Sequence, residues 1–117
     1  MSEAILRIDS LLCERSSEAT GDEITLHSHG RQVWPDTDDR TYVLSTGEEL
    51  AMSRELLFHD FAELPLTLRD HDELATDDDL ATIKIPATEA GTGPHTRDLI
   101  GPDSHYKLRY RVGTIRY

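Results

Sequence analysis

The sequence predicts an all-β protein: an antiparallel β-sandwich of about eight strands, folded as one domain. Apolar residues recur at every second position through most of the chain, which is the period of a half-buried strand. Turn-forming clusters rich in Gly, Pro, Asp and Thr separate these segments. The 117 residues of the chain are enough for a single core without staples. We therefore expect residues 1–117 to form one domain.

The strands of the N-terminal half follow from this alternation. In Ala4–Leu12, the side chains Leu6, Ile8 and Leu12 share one face. Ile24, Leu26 and Ser28 alternate with polar neighbours, and Gly30 then permits a tight turn into Arg31–Trp34. The segment Thr41–Thr46 is rich in β-branched and aromatic residues and ends at Gly47.

The C-terminal half supplies the remaining predicted strands, which are Leu56–Phe61, Leu64–Leu68, Leu80–Pro86 and Tyr106–Val112. The best helix candidate is Gly47–Leu57, which could instead be a loop that leads into the fifth strand. The segment Ala87–Ser104 is rich in Gly, Pro and Thr, and predicts a long surface loop.

The charge of the chain is strongly unbalanced. There are 23 acidic and 12 basic residues, for a net charge of -11, and Lys84 and Lys107 are the only lysines. Such a composition is typical of proteins from halophilic sources, whose acidic surface is screened by salt. The alternative is an ordinary acidic protein. Either composition disfavours a nucleic-acid partner, because binding phosphates requires a basic surface.

Several other classes of protein are disfavoured. No apolar run approaches the ~18 residues of a membrane span, and the N-terminal residues lack the pattern of a signal peptide. We therefore expect a soluble chain. Cys13 is the only cysteine, which excludes an intrachain disulfide. Ser16, Ser17 and Ser53 lack the setting of a catalytic nucleophile, so we expect no enzyme.

An acidic stretch at residues 68–85 is the most specific chemical signal. Asp70 and Asp72 end an apolar run two residues apart, and Asp78 can close the following loop back onto them. Crowded carboxylates repel one another unless a cation lies between them. Oxygen ligands on a flexible loop suit calcium better than zinc or copper. The alternative is an acidic turn that is simply solvated.

These residues resemble the motif of the C2 (C-two) domains, a family of calcium-binding β-sandwiches. That family places Asp-x-Asp, five further residues and a third Asp, which Asp70, Asp72 and Asp78 match. The segment 20–24 and Glu14 stand where the family has its earlier acidic loop. The resemblance runs from Ile5 to Pro86, and extends to a looser group of small bacterial and phage-associated sandwich modules.

The resemblance implies a C2-like fold and a calcium site formed by Asp70, Asp72 and Asp78 with Asp22 and Glu14 from the facing loop. The chain departs from the family where Ala81 replaces a Gly and Glu14 replaces an Asp. Its acidic loops carry only Leu74 as a large apolar residue, whereas family members that dock on anionic lipid carry apolar and basic loop tips. A membrane partner is therefore not expected.

The last predicted strand carries a cationic strip, formed by Lys107, Arg109, Arg111 and Arg116. One interpretation is a solvent face that pairs with the protein's own acids. The other is an interface with an acidic neighbouring subunit, for which the planar fork of arginine is well suited.

Together these features favour a non-enzymatic structural or adhesive subunit of a larger assembly, such as a virion decoration, turret or tail component from a halophilic source. Its partners would be further copies in a homo-oligomer, or capsid or tail proteins. The alternative is a calcium-dependent C2-like module that binds a lipid, glycan or protein ligand.

Overall fold

The computed structural model describes residues 2–35, 41–71 and 78–116. These residues form nine strands and one 3-10 turn. The strands are β1 (Ser2–Arg15), β2 (Asp22–Ser28), β3 (Arg31–Trp34), β4 (Tyr42–Leu44), β5 (Glu49–Leu57), β6 (Glu63–Asp70), β7 (Asp78–Pro86), β8 (Pro94–Ile100) and β9 (His105–Arg116). The short turn η1 (Ala87–Glu89) follows β7.

The strands form two antiparallel sheets that pack face to face. One sheet has four strands in the order β5-β1-β9-β8. The other has five strands, in the order β3-β2-β6-β7 with β4 also paired to β2. The predicted all-β sandwich is therefore confirmed, with nine strands instead of about eight.

Apolar side chains that point inward from both sheets fill the space between them, as the period of two requires. The largest fully buried ones are Tyr106, Tyr110, Phe58, Leu6, Ile8, Leu11, Ile24, Leu26, Leu44, Leu66, Leu68 and Ile85. In β1, a register shift between Ile8 and Ser10 turns Leu11 into the core in place of the predicted Leu12. Such a bulge inserts one residue and so reverses the faces beyond it.

The helix candidate Gly47–Leu57 is wrong, because Glu49–Leu57 is strand β5. Its helix formers are overridden by packing, since Met52 is buried and its neighbours Ala51 and Ser53 are exposed. The predicted strand Leu56–Phe61 is also wrong beyond Leu57. Phe58 closes a turn there, with the Phe61 amide donating to its carbonyl at 3.0 Å.

The long loop predicted for Ala87–Ser104 contains a strand, β8, which pairs along β9 from Pro94↔Arg111 to Ile100↔His105. Its inward side carries few large apolar residues, and only Leu99 is buried. Strand β8 is therefore an edge strand whose sequence lacks strong alternation. On its open side, Arg97 Nη1 donates to the Lys84 carbonyl of β7 at 2.5 Å, which ties the two sheets together.

Strand direction decides which loops meet. Strands β1, β4, β6 and β8 end at the same end of the sandwich, where β2, β5, β7 and β9 begin. We call this the acidic end. It is formed by residues 16–21, 45–48 and 101–104, together with Asp70, His71 and Asp78 at the ends of β6 and β7.

Candidate metal centre

Three carboxylates meet at the acidic end. One oxygen each from Glu18, Asp22 and Asp70 lies within 4.8 Å of the other two. Asp22 is fully buried and Asp70 is 8% exposed, whereas Glu18 is exposed. Like charges this close are unfavourable in a partly desolvated site, so each carboxylate needs donors or a cation nearby.

Asp22 obtains its donors from the protein itself. Its Oδ2 accepts hydrogen bonds from the Ser17 amide at 2.9 Å and from the Tyr106 hydroxyl at 2.5 Å. Its Oδ1 accepts from the Ser17 hydroxyl at 2.6 Å and from the Glu18 amide at 3.1 Å. A carboxylate offers about four acceptor sites. Asp22 is therefore saturated and acts as the anchor of the loop between β1 and β2.

The anchored loop is what brings Glu18 to the site. Besides the bonds to Asp22, the Ser16 hydroxyl donates to the Glu18 carbonyl at 2.6 Å, and the Gly21 amide donates to the same carbonyl at 3.0 Å. These contacts fold residues 16–21 into a compact turn above the end of β6. Glu18 thus projects toward Asp70 because Asp22 holds its backbone.

Tyr106 fixes the anchor from the opposite sheet. Burial raises the pKa of its hydroxyl, and the bond to Asp22 raises it further. The hydroxyl therefore stays protonated and remains a donor. Burial also raises the pKa of the neighbouring Cys13 thiol, so Cys13 is a neutral part of the core beneath the site.

Asp70 is a carboxyl with a raised pKa. Burial raises its pKa to about 6, and the negative charges of Asp22 and Glu18 add to the effect. A hydrogen bond from the Glu23 amide to Oδ1 at 2.9 Å opposes the shift. Asp70 is ionised at neutral pH at a free-energy cost that a cation would remove.

The structure places the five predicted ligands in different ways. The structure brings Asp22 and Asp70 together, and it places Asp78 opposite Asp70 in the β6–β7 register, with an exposed side chain. Glu14 is directed elsewhere, to Lys107 Nζ at 3.6 Å. Asp72 lies outside the described residues. Sequence reasoning missed Glu18 and Tyr106, although an acid beside Ser16–Ser17 in the loop before Asp22 was a usable signal.

The donor set fits calcium. All three side chains offer oxygen, which hard cations prefer. Asp70 and Glu18 would hold the ion directly, whereas Asp22 would do so only by giving up a protein donor. Calcium takes six to eight oxygens, so backbone, water or ligand oxygens would have to complete the set.

The cationic strip on β9 is largely paired within the chain. Arg111 binds both oxygens of Asp9, at 2.8 and 3.1 Å. Arg109 Nη1 lies 3.3 Å from Glu49 and Lys107 lies 3.6 Å from Glu14. Arg116 is exposed at the end of β9. These contacts agree with the interpretation of the strip as a solvent-exposed face that pairs with the protein's own acids. An interface with another subunit stays a prediction.

Comparison with known proteins identifies the fold. No protein-family model matches the chain, and no curated protein matches its sequence. Among solved structures, C2 domain A of plant Extended Synaptotagmin 1 superposes with a TM-score of 0.60 at 9% identity, covering 99% of this chain and 97% of that one.

Two further structures agree. The structure of another C2 domain gives a TM-score of 0.51 at 14% identity, covering 99% of this chain and all of that one (100%). Human GIVD cytosolic phospholipase A2 gives 0.52 at 12% identity, over 97% of this chain and 16% of that one. Among the described residues, no helix is long and apolar enough to cross a bilayer. The chain therefore has the fold of a C2 domain, a C2-like β-sandwich.

Proposed function

We propose that this chain is a calcium-dependent binding module, in which the acidic end takes up calcium and in that state recruits a ligand. The fold supports a module of this kind, since it is that of C2 domains. The observation that carries the proposal is Asp70, a carboxyl 8% exposed whose pKa is raised to about 6 by burial and by neighbouring acids.

Each residue of the site has a separate part in the proposal. Asp70 and Glu18 would be the direct ligands, because each offers a carboxylate oxygen to the cluster. Asp22 positions Glu18 through the loop it anchors. Bound calcium would supply the positive charge that offsets the crowded carboxylates and would stabilise the loop by mass action.

The ligand class follows from charge and coordination. The chain has a net charge of -11, so an anionic partner is repelled unless a cation bridges the two. Two directly bound carboxylates leave positions on calcium open. We therefore expect a ligand that contributes carboxylate or phosphate oxygens, whether it belongs to a lipid, a glycan or a protein.

The expectation of a virion subunit from a halophilic source has no support from the fold or from the comparisons. The cationic strip favoured an assembly in the sequence. Three of its four residues form ion pairs with acidic residues of the same sheet. A calcium-dependent module is therefore the better interpretation of the same acidic surface.

Thr92, His95 and Glu89 are arranged in the order of a catalytic triad, but their hydrogen bonds do not activate a nucleophile. His95 Nε2 lies 2.5 Å from the Thr92 hydroxyl, and its Nδ1 lies 3.3 Å from Glu89. The Thr92 hydroxyl, however, donates to the Glu89 carbonyl at 2.5 Å. Its proton is thus directed to the backbone and not to the imidazole, which fits a role in stabilising the turn after η1.

Calorimetric titration of the whole chain with calcium chloride at pH 7.5 tests the proposal. We expect heat of binding and a rise in Tm, both of which Asp70→Asn should largely remove. The matched control is Asp60→Asn, which removes an exposed acid at the opposite end and should leave calcium binding unchanged. An absence of heat and of any Tm shift in the wild type would overturn the proposal, as would equal binding by Asp70→Asn.

A further inference from the structure

A recess of about 320 Å³ lies between the two sheets at the end opposite the acidic end. Its lining includes Ser28, His29, Arg31, Arg54, Leu56 and His59. We call it the basic recess. A volume of this size falls at the lower limit for small-molecule sites, and the recess shares no residue with the carboxylate cluster.

The hairpin between β2 and β3 forms one wall. Its two turn residues, His29 and Gly30, have φ of 52° and 76°, as a type I′ turn requires. The turn places Ser28 directly opposite Arg31, so their side chains lie on the same face. Ser28 follows the buried positions Ile24 and Leu26 at intervals of two, so this face is the one toward the other sheet.

Strand β5 forms the facing wall. Arg54 and Leu56 alternate with the exposed residues Ser53, Glu55 and Leu57, so both point toward the space between the sheets. Arg54 Nε donates to the Val33 carbonyl of β3 at 2.9 Å. That bond spans the gap and holds the guanidinium at the recess, while Leu56 gives the wall an apolar part.

The basic side chains of the recess are unusual for so acidic a chain. Two of the 12 basic residues of a protein with a net charge of -11 line it, the exposed Arg31 and the half-buried Arg54. His59 also lines it, and its Nδ1 lies 3.3 Å from a carboxylate oxygen of Glu3. Ser28 is 9% exposed, and its hydroxyl has no hydrogen-bond partner among residues 2–35, 41–71 and 78–116.

A buried hydroxyl without a partner is uncommon in folded proteins and calls for an explanation. An anionic oxygen supplies one, because it accepts hydrogen bonds from hydroxyls and binds the fork of an arginine. We propose that the basic recess binds a small organic anion, with its phosphate or carboxylate group against Arg31, Arg54 and the Ser28 hydroxyl and its apolar part against Leu56.

The site is separate from the candidate calcium site. Asp22 and Ser28 begin and end β2, which places them about 20 Å apart along the strand. The ligand is a soluble anion and not a membrane surface, because a chain with a net charge of -11 is repelled by an extended anionic surface. A single small anion inside the recess would instead lie against the two arginines that line it.

Titration calorimetry with phenyl phosphate as the probe tests this inference, in calcium-free buffer. We expect phenyl phosphate to bind more tightly than inorganic phosphate, since only the former has an apolar part, and benzamidine to give no heat. Arg31→Gln should weaken binding about tenfold, as expected for the loss of a charge-assisted hydrogen bond. Ser28→Ala should weaken it less. Arg109→Gln, on the outer face of the other sheet, is the matched control and should change nothing.

Three outcomes would overturn the inference. They are an absence of binding by phenyl phosphate, equal binding by the wild type and Arg31→Gln, and equal binding of benzamidine. Flotation with vesicles that contain phosphatidic acid distinguishes the source of the anion. Calcium-free flotation that depends on Arg31 would contradict a soluble ligand.

Discussion

The Tyr106 hydroxyl of β9 donates a hydrogen bond to the Asp22 carboxylate of β2 at 2.5 Å, between residues 84 positions apart in the chain. The bond joins the two sheets beneath the acidic end. It also completes the set of four donors that saturates Asp22. Asp22, which the sequence places among the predicted metal ligands, is therefore a structural anchor.

Replacing Tyr106 with Phe should lower the free energy of unfolding by about 1–3 kcal/mol, because it keeps the ring and leaves a buried carboxylate oxygen without one of its donors. Urea unfolding at pH 7.5 measures the change. Tyr42→Phe is the matched control, since Tyr42 is 45% exposed. Equal stability of Tyr106→Phe and the wild type would show that the hydroxyl is not needed by Asp22.

The pH dependence of stability isolates Asp70. Its pKa of about 6 in the folded protein exceeds the value of about 3.9 for an unfolded chain. The folded state therefore binds a proton more tightly, and the contribution of Asp70 to stability is lost as the pH rises through this window. The loss amounts to about 3 kcal/mol above pH 6.

Asp70→Asn cannot ionise but keeps an oxygen to accept from the Glu23 amide. In calcium-free buffer we expect it to be more stable than the wild type at pH 7.5 and to lose that advantage below pH 4. Urea unfolding across this range gives the difference curve, which removes the contribution of the other carboxylates. A difference that stays constant with pH would show that Asp70 titrates normally.

The strands that could be predicted from the sequence are those in which buried and less buried residues alternate. Leu64, Leu66 and Leu68 alternate strictly and do form the inner face of β6. Strand β8 was not predicted because only one of its residues, Leu99, is buried. The segment forms a strand because it pairs with β9. The helix prediction over Gly47–Leu57 failed for the same reason, since pairing with β1 overrides local propensity.

The candidate site could be predicted in part. Asp70 and Asp22 meet because C2-like connections bring β2 and β6 side by side, with Ile24 opposite Asp70. Spacing alone could not reveal that four donors already occupy Asp22, because Tyr106 is contributed by the far end of the chain. Nor could it reveal that Glu14 lies 3.6 Å from Lys107, which is on β9.

Gly101 is predicted to tolerate no side chain. A Cβ there would lie 2.3 Å from the Leu80 carbonyl oxygen, so the loop after β8 would have to move. Gly101→Ala should therefore cost about 1–3 kcal/mol. Gly113→Ala is the matched control, because its nearest contact would be an ordinary 3.6 Å. Equal Tm values for the two variants would contradict the close approach of β7 and this loop.

Arg97 is predicted to hold the open edge of the sandwich. Arg97→Met keeps much of the side-chain length but removes the bond to the Lys84 carbonyl, and should cost about 1 kcal/mol. Native-state hydrogen exchange should show faster exchange for β8 amides and unchanged exchange for β6. Uniform acceleration in both strands, or none, would show that Arg97 does not hold this edge.

The most direct test of calcium binding through Asp70 is the number of protons released when calcium binds. Because the pKa of Asp70 is about 6, calcium should displace about half a proton at pH 6 and almost none at pH 8. Calorimetry in buffers of different ionisation enthalpy measures this number. We predict that the release at pH 6 disappears in Asp70→Asn together with most of the affinity. Calcium binding at pH 6 without proton release, or with release unchanged in Asp70→Asn, would contradict calcium binding through Asp70.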